Sequence, residues 1–307
     1  MDLYLDACKT GDLQFVQNFV PDYFSRNWNG SASTTGLPSH LEQSLAIGLR
    51  AAIEHDHPRI VDYLYEQDLP VSQSEVWLAI ESKASNEMFE VLFCDGGWDI
   101  NEIRAATLPP FLAVVVEDER LVRQFLHLGA DPNKSCKLGT NGFMAAAERG
   151  SLSTVQAMHT AGGNPFPTVP SAAKGQGPES ERLQILKYLL DNGASINAFD
   201  LQHCQYGFDS ILCPLTGLHY AANYGKTEMV ELLLQRGANA NVRDELGRSP
   251  GDLASANGHY LVVKLLSVAP SGPELKVNIG ETEERPEYFP SGVVCRKWRI
   301  RFLSQSS

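Results

Sequence analysis

Apolar residues recur along this chain at the spacing of a helix face. Met229, Val230, Leu233 and Leu234 fall at i, i+1, i+4 and i+5, one buried stripe on an α-helix. The same apolar pair closes three other runs, as Leu92-Phe93, Phe125-Leu126 and Leu189-Leu190, with Met158-His159 a weaker match. Each pair precedes a Gly that opens a short phrase: Gly96-Gly97-Trp98-Asp99-Ile100-Asn101, Gly129-Ala130-Asp131-Pro132-Asn133, Gly162-Gly163-Asn164-Pro165, Gly193-Ala194-Ser195-Ile196-Asn197 and Gly237-Ala238-Asn239-Ala240-Asn241. The first glycines lie 33, 33, 31 and 44 residues apart. Upstream of the 229–234 helix stands a turn, Tyr224-Gly225-Lys226, and before it a small-residue helix, Leu218-His219-Tyr220-Ala221-Ala222. Short side chains let antiparallel helices approach closely, and a terminal Gly supplies the left-handed backbone that stops a helix. The pattern predicts helical hairpins that must stack, because one hairpin cannot bury its apolar face alone.

The stretch Thr216-Gly217-Leu218-His219-Tyr220-Ala221-Ala222, with Val230-Glu231-Leu232-Leu233-Leu234 and Gly237-Ala238-Asn239-Ala240-Asn241, closely resembles an ankyrin repeat. Gly217 replaces the Pro of the Thr-Pro-Leu-His tetrad. The next unit matches again through Gly247-Arg248-Ser249-Pro250, Asn257-Gly258-His259 and Leu265-Leu266. Upstream the likeness weakens but keeps its register. Asn141-Gly142-Phe143-Met144-Ala145-Ala146-Ala147 is a clear inner helix, Leu108-Pro109-Pro110-Phe111 an irregular start, and Glu75-Val76-Trp77-Leu78 and Ile47-Gly48-Leu49-Arg50 take the tetrad's place. Asp56 stands where the inter-helix Gly belongs. The resemblance implies an all-α ankyrin-repeat solenoid of about eight units over residues 1–269, one array without an independent second domain.

Three stretches break the period: a polar loop expected over 21–40; residues 164–180, whose four Pro and two Gly predict an inner helix largely lost; and the aromatic insert 199–215, which lengthens one spacing to 44. In the family, insertions of this kind sit in the finger loops, on a face often used for binding. Residues 270–307 depart from the repeat. They run from Glu281-Thr282-Glu283-Glu284 to the alternating Val293-Val294-Cys295-Arg296-Lys297-Trp298-Arg299-Ile300-Arg301-Phe302, a strand-like pattern. This extension is read as a cap on the last repeat or as a docking segment.

Composition narrows the function. The net charge of −12 argues against a general affinity for nucleic acid or anionic membrane. No uncharged apolar run is long enough for a membrane span. The acidic start Met1-Asp2-Leu3-Tyr4-Leu5-Asp6 is unlike a signal peptide, and the six scattered cysteines form neither a zinc motif nor a disulfide framework. A reduced, cytoplasmic protein is expected. The triplet His55-Asp56-His57 lacks a third metal ligand nearby, and His203-Cys204 lacks an orienting partner for a nucleophile. Gly175-Gln176-Gly177-Pro178 lacks the strand and the Lys of a phosphate loop. No catalytic residue, cofactor or metal is assigned.

What remains is surface. The family's register turns Tyr220, Asn223, Tyr224, Glu148 and Arg149 toward the groove, with Trp77 and Trp98 beside them unless those indoles are core. Aromatic and Arg anchors are typical binding hot spots. His219, the tetrad histidine, is implied to brace the turn, and His57 and His259 likewise. The expected function is recognition of another protein through the groove and finger loops. The alternative is a small-molecule or catalytic pocket of the middle repeats and the 199–215 insert, using Glu148, Arg149, Asn223, Tyr224 and His203.

Overall fold

The computed structural model describes residues 1–27, 39–67, 69, 72–95, 98–102, 109–136, 139–200, 215–244 and 246–269, with the strand segments 278–281, 287–288, 294–295 and 298–301. The sixteen helices among them follow one another as eight consecutive pairs, seven of which pack as hairpins. Contacts divide the chain into two compact units, Met1–Glu102 with His127–Gly129, and Ile103–Leu126 with Ala130–Ser307, where the sequence pattern predicts one array.

The first unit holds α1 (Asp2–Thr10), α2 (Leu13–Asn27), α3 (Ser39–Glu54), α4 (Pro58–Tyr65), α5 (Gln73–Glu81) and α6 (Asn86–Glu90), the last continued by a π-helical turn over Val91–Asp95. The loop expected over 21–40 is shorter than predicted. Pro21 removes one N–H from the ladder, but α2 runs on to Asn27, with an Asp22–Arg26 ion pair one turn apart (2.6 Å). The tetrad substitutes are also corrected, since 47–50 and 75–78 lie inside helices. The true start of α5 is Ser72, whose hydroxyl and the Glu75 carboxylate form a capping box. Asp56 adopts a left-handed φ of 58° and offsets the strain with contacts no Gly could make. Its Oδ1 accepts hydrogen bonds from Ser85 N and Oγ, both at 2.9 Å, at the start of α6.

The second unit holds α7 (Phe111–Val114), α8 (Glu119–His127, except its final residue), α9 (Gly142–Arg149), α10 (Leu152–Thr160), α11 (Val169–Lys174), α12 (Glu179–Asp191), α13 (Gly217–Asn223), α14 (Thr227–Gln235), α15 (Pro250–Ala256) and α16 (Tyr260–Ser267). Helices α7, α9, α11, α13 and α15 pack side by side in that order as an inner row. Its contact surface is built of Ala146, Ala147, Ala172, Ala173, Ala221 and Ala222, all buried. The inner helix expected to be lost within 164–180 is therefore present as α11. Pro170 sits in its first turn, where the missing N–H has no intrahelical partner anyway.

Capping side chains fix the helix starts. Asn141 accepts from Met144 N at 2.8 Å, and Ser249 forms a capping box with Asp252. His219 is fully buried. Its Nδ1 accepts from the Thr216 hydroxyl at 2.8 Å, while Nε2 lies 3.3 Å from the Arg248 carbonyl. That pair of bonds fits a neutral ring with its proton on Nε2. Burial, the dominant cause, pushes its pKa down from 6.5 to about 4.

The recurring Asn has a stitching role. Asn133 donates from Nδ2 to Gly162 O and accepts at Oδ1 from Asn164 N (2.9 and 2.7 Å). Asn101 likewise reaches Gly129 O at 2.9 Å, and Asn197 Oδ1 accepts from Asn239 N at 3.0 Å. Three of the loops are thus tied to the next by one amide, and the 162–166 loop by a backbone bond from Ser195 N to Phe166 O at 3.0 Å. After α16 come two short antiparallel strand pairs, β1 (Asn278–Glu281) with β4 (Trp298–Arg301) and, nested between them, β2 (Glu287–Tyr288) with β3 (Val294–Cys295).

Candidate functional site

The predicted residues of the second unit converge on the inner row. Glu148, at the end of α9, is ion-paired to Lys174 at the end of α11 (3.2 Å), and the same ammonium lies 3.2 Å from Asp200. The Asp200 carboxylate is fully covered and also accepts the Tyr220 hydroxyl at 2.9 Å. A buried carboxylate needs such partners, since an uncompensated one costs several kcal/mol (order of magnitude). Burial first, and Asp200 second, push the Tyr220 phenol far above its ordinary value, so it stays protonated and donating. The backbone of Asp200 contributes as well, its N–H donating to Leu215 O at 2.9 Å, and Phe199 bridges Thr216. These contacts close the base of the insert 201–214.

The family register turns Tyr220 toward the groove; the structure buries it. Its ring stacks against Tyr224 (centroids 6.4 Å apart, planes at 14°), and the hydroxyl is consumed by Asp200. Tyr224, one turn later, is 53% exposed, with Lys226 Nζ 5.6 Å from its ring centre, within cation–π reach. Asn223 is half-buried and accepts from Asn257 Nδ2 at 3.0 Å. Arg149 is exposed but anchored, donating to Ala113 O at 2.8 Å. Glu148 and Arg149 lie at the end of α9 and Asn223 and Tyr224 at the end of α13, with α11 packed between the two helices. Trp77 and Trp98 belong to the first unit. Trp98 is only 5% exposed and is corrected to core, while Trp77 is half-buried.

Three cations brace the ends of the inner helices. Arg149 takes Ala113 O in α7. Arg182 reaches Ala147 O, Glu148 O (3.0 Å) and Gly150 O at the end of α9. Lys226 reaches Ala173 O (2.8 Å) and Gly175 O at the end of α11. Carbonyls at a helix C-terminus carry partial negative charge and favour a cation there. Burial holds the pKa values of Arg182 and Lys226 below their usual range. Neither Asp200 nor Arg182 stands out in the sequence. The repeated Ala-Ala pair at 172–173 was the available signal for α11, and hence for the groups around it.

Three histidines outside this site are bound to backbone: His55 Nδ1 lies 3.0 Å from Ala51 O, His57 Nε2 2.8 Å from Lys9 O and His259 Nε2 3.0 Å from Asn223 O. No group of three or more His, Cys, Asp or Glu side chains suited to a metal occurs among the described residues. No helix among them is long and apolar enough to cross a membrane. Cys8, Cys94 and Cys136 are free thiols. His203 and Cys204 lie outside the described residues.

A family model described as ankyrin repeats (3 copies) matches residues 185–278. The chain is 33% identical over 128 residues to the E3 ubiquitin-protein ligase hecd-1 of Caenorhabditis elegans, covering 38% of this chain and 4% of that one. It is 31% identical over 172 residues to the mitochondrial disaggregase of Bos taurus, covering 54% and 23%. It is 43% identical over 68 residues to Rabankyrin-5 of Mus musculus, covering 22% and 6%. The matched segments thus span less than a quarter of each of these relatives.

Proposed function

The chain is an ankyrin-repeat protein, and we propose that the second unit grips a segment of another protein along the ends of its inner helices. Ankyrin repeats are in general protein–protein interaction modules. The observation that carries the reading for this surface is Tyr224: a large aromatic ring left open to solvent and supported from below by Tyr220 and by the Asp200–Lys174–Glu148 chain. A rigid, half-exposed aromatic loses little freedom when a partner covers it, which is the economy of a hot spot. Asn223 supplies a polar contact next to it, and Arg149 a cation farther along the same row, at the end of α9. The scattered cysteines and acidic charge support a cytoplasmic setting for the interaction.

A photo-crosslinking amino acid at position 224, with a control at the exposed outer-helix position 231, tests the reading. A protein adduct specific to 224, whose partner loses at least ten-fold in affinity for purified Tyr224→Ala and Arg149→Glu chains, is the expected result. Equal adducts at both positions, or binding untouched by both substitutions, overturns it.

A further inference from the structure

Tyr224 does not stand alone on the inner row. Helices α13 and α15 begin 33 residues apart, so Asn257 holds in the last hairpin the place that Tyr224 holds in the one before. The neighbouring amide of Asn223 reaches across to it. Asn257 Nδ2 donates to Asn223 Oδ1 at 3.0 Å and to Leu253 O at 2.9 Å, which uses both of its hydrogens and fixes its orientation. The joined amides keep two open ends: among the described residues Asn223 Nδ2 has no acceptor and Asn257 Oδ1 no donor. The backbone beneath is held as well, with His259 Nε2 3.0 Å from Asn223 O. Positions 223, 224, 256 and 257 carry no charge, whereas Glu148 and Arg149 take the places of Asn223 and Tyr224 in α9.

A partner segment that runs along the row from Tyr224 to Asn257 takes this amide pair out of water. A buried donor or acceptor left without a partner costs about 1–3 kcal/mol, so the segment must offer one acceptor and one donor in return. A helix has spent its main-chain groups on itself, and a long polar side chain must first be ordered. An extended chain offers both at once, because the N–H and C=O of every second residue point to the same edge while the side chains leave by the faces. We propose, resting on Tyr224 as the contact residue, that the segment gripped there is extended, with the C=O and N–H of one of its residues bound to Asn223 Nδ2 and Asn257 Oδ1. The amides are already held in place, so little freedom is lost when they bind.

A random library of short linear peptides, selected on the full chain and kept only where Tyr224→Ala loses them, supplies the probe. Each main-chain N–H of one selected peptide is then replaced in turn by N-methyl. Binding to the wild-type chain is expected to weaken about ten-fold at one residue, and that loss is expected to vanish on Asn257→Ala, whose acceptor is gone. Asn223→Asp still accepts the bond from Asn257 but puts an acceptor where the donor stood, and is expected to weaken the unmodified peptide about ten-fold. A peptide that tolerates N-methyl at every position, or is weakened equally on wild type and Asn257→Ala, or is untouched by Asn223→Asp, overturns the inference and leaves the Tyr224 reading standing. So does a selected peptide that is helical when bound. A library in which nothing is lost with Tyr224→Ala removes the Tyr224 reading and this inference with it.

Discussion

Hairpins of this chain are latched to the one before in two ways, and the two latches use different chemistry. In the α3/α4 and α15/α16 hairpins, the residue after the turn is a histidine, His57 or His259, reaching a backbone carbonyl at the end of an earlier inner helix. Each imidazole lies on the turn glycine of the preceding hairpin: a Cβ on Gly11 would come within 2.8 Å of His57, and one on Gly225 within 2.5 Å of His259. Both glycines also have positive φ, 81° and 67°. In the middle hairpins the same role falls to Arg149, Arg182 and Lys226. A short imidazole needs a close seat, which Gly provides; a long cation has more reach, and Arg182 and Lys226 accept the cost of partial dehydration for bonds to several carbonyls. The middle of the second unit, where the candidate binding surface lies, is thus held by charge.

The sharpest way to break this contrast is Arg182→Met. It strands three carbonyls near the end of α9, and a loss of about 3 kcal/mol in denaturant unfolding is expected. A similar ceiling applies to acid. The folded state holds His219 neutral, with a pKa of about 4 against an ordinary 6.5, so between these values the unfolded chain binds more protons. Stability is then full above pH 6.5 and falls by up to about 3 kcal/mol as pH drops to 4. Unfolding curves across that window should show the slope, and His219→Gln should flatten it. Lys226 offers a direct exchange of latches. Lys226→Met should cost about 1–2 kcal/mol, and Lys226→His should recover little, because the open side of Gly175 faces Glu148 O and not this side chain; recovery equal to wild type would erase the difference between the two latches. The smallest expected effect is Arg149→Ala, under about 1 kcal/mol because the side chain is exposed. That variant separates binding from stability.

The hairpins were legible because apolar spacing and turn glycines act locally. Asp56 was readable as a turn residue for the same reason, although its bonds to Ser85, 29 residues away, were not. Tyr220 and Trp98 were misplaced because an aromatic on a helix lines a surface or fills a core according to neighbours from other repeats. The inner helix α11 was hidden by Pro165, Pro167 and Pro170, residues that local rules count against a helix; only its paired alanines betrayed the packing partner it needs. Asp200 carried no motif at all, since its partners Lys174 and Tyr220 are 26 and 20 residues distant.

The closed base between Asp200 and Leu215 reaches beyond the candidate surface. Below that pinch the amide of Asn197 still meets Asn239 as if no extra residues intervened. A base closed in this way tolerates a change of loop length, because the entropy of a longer or shorter loop changes only slowly with length. A lineage could rewrite those residues freely, or an engineer could graft a foreign peptide there, without retuning the stack.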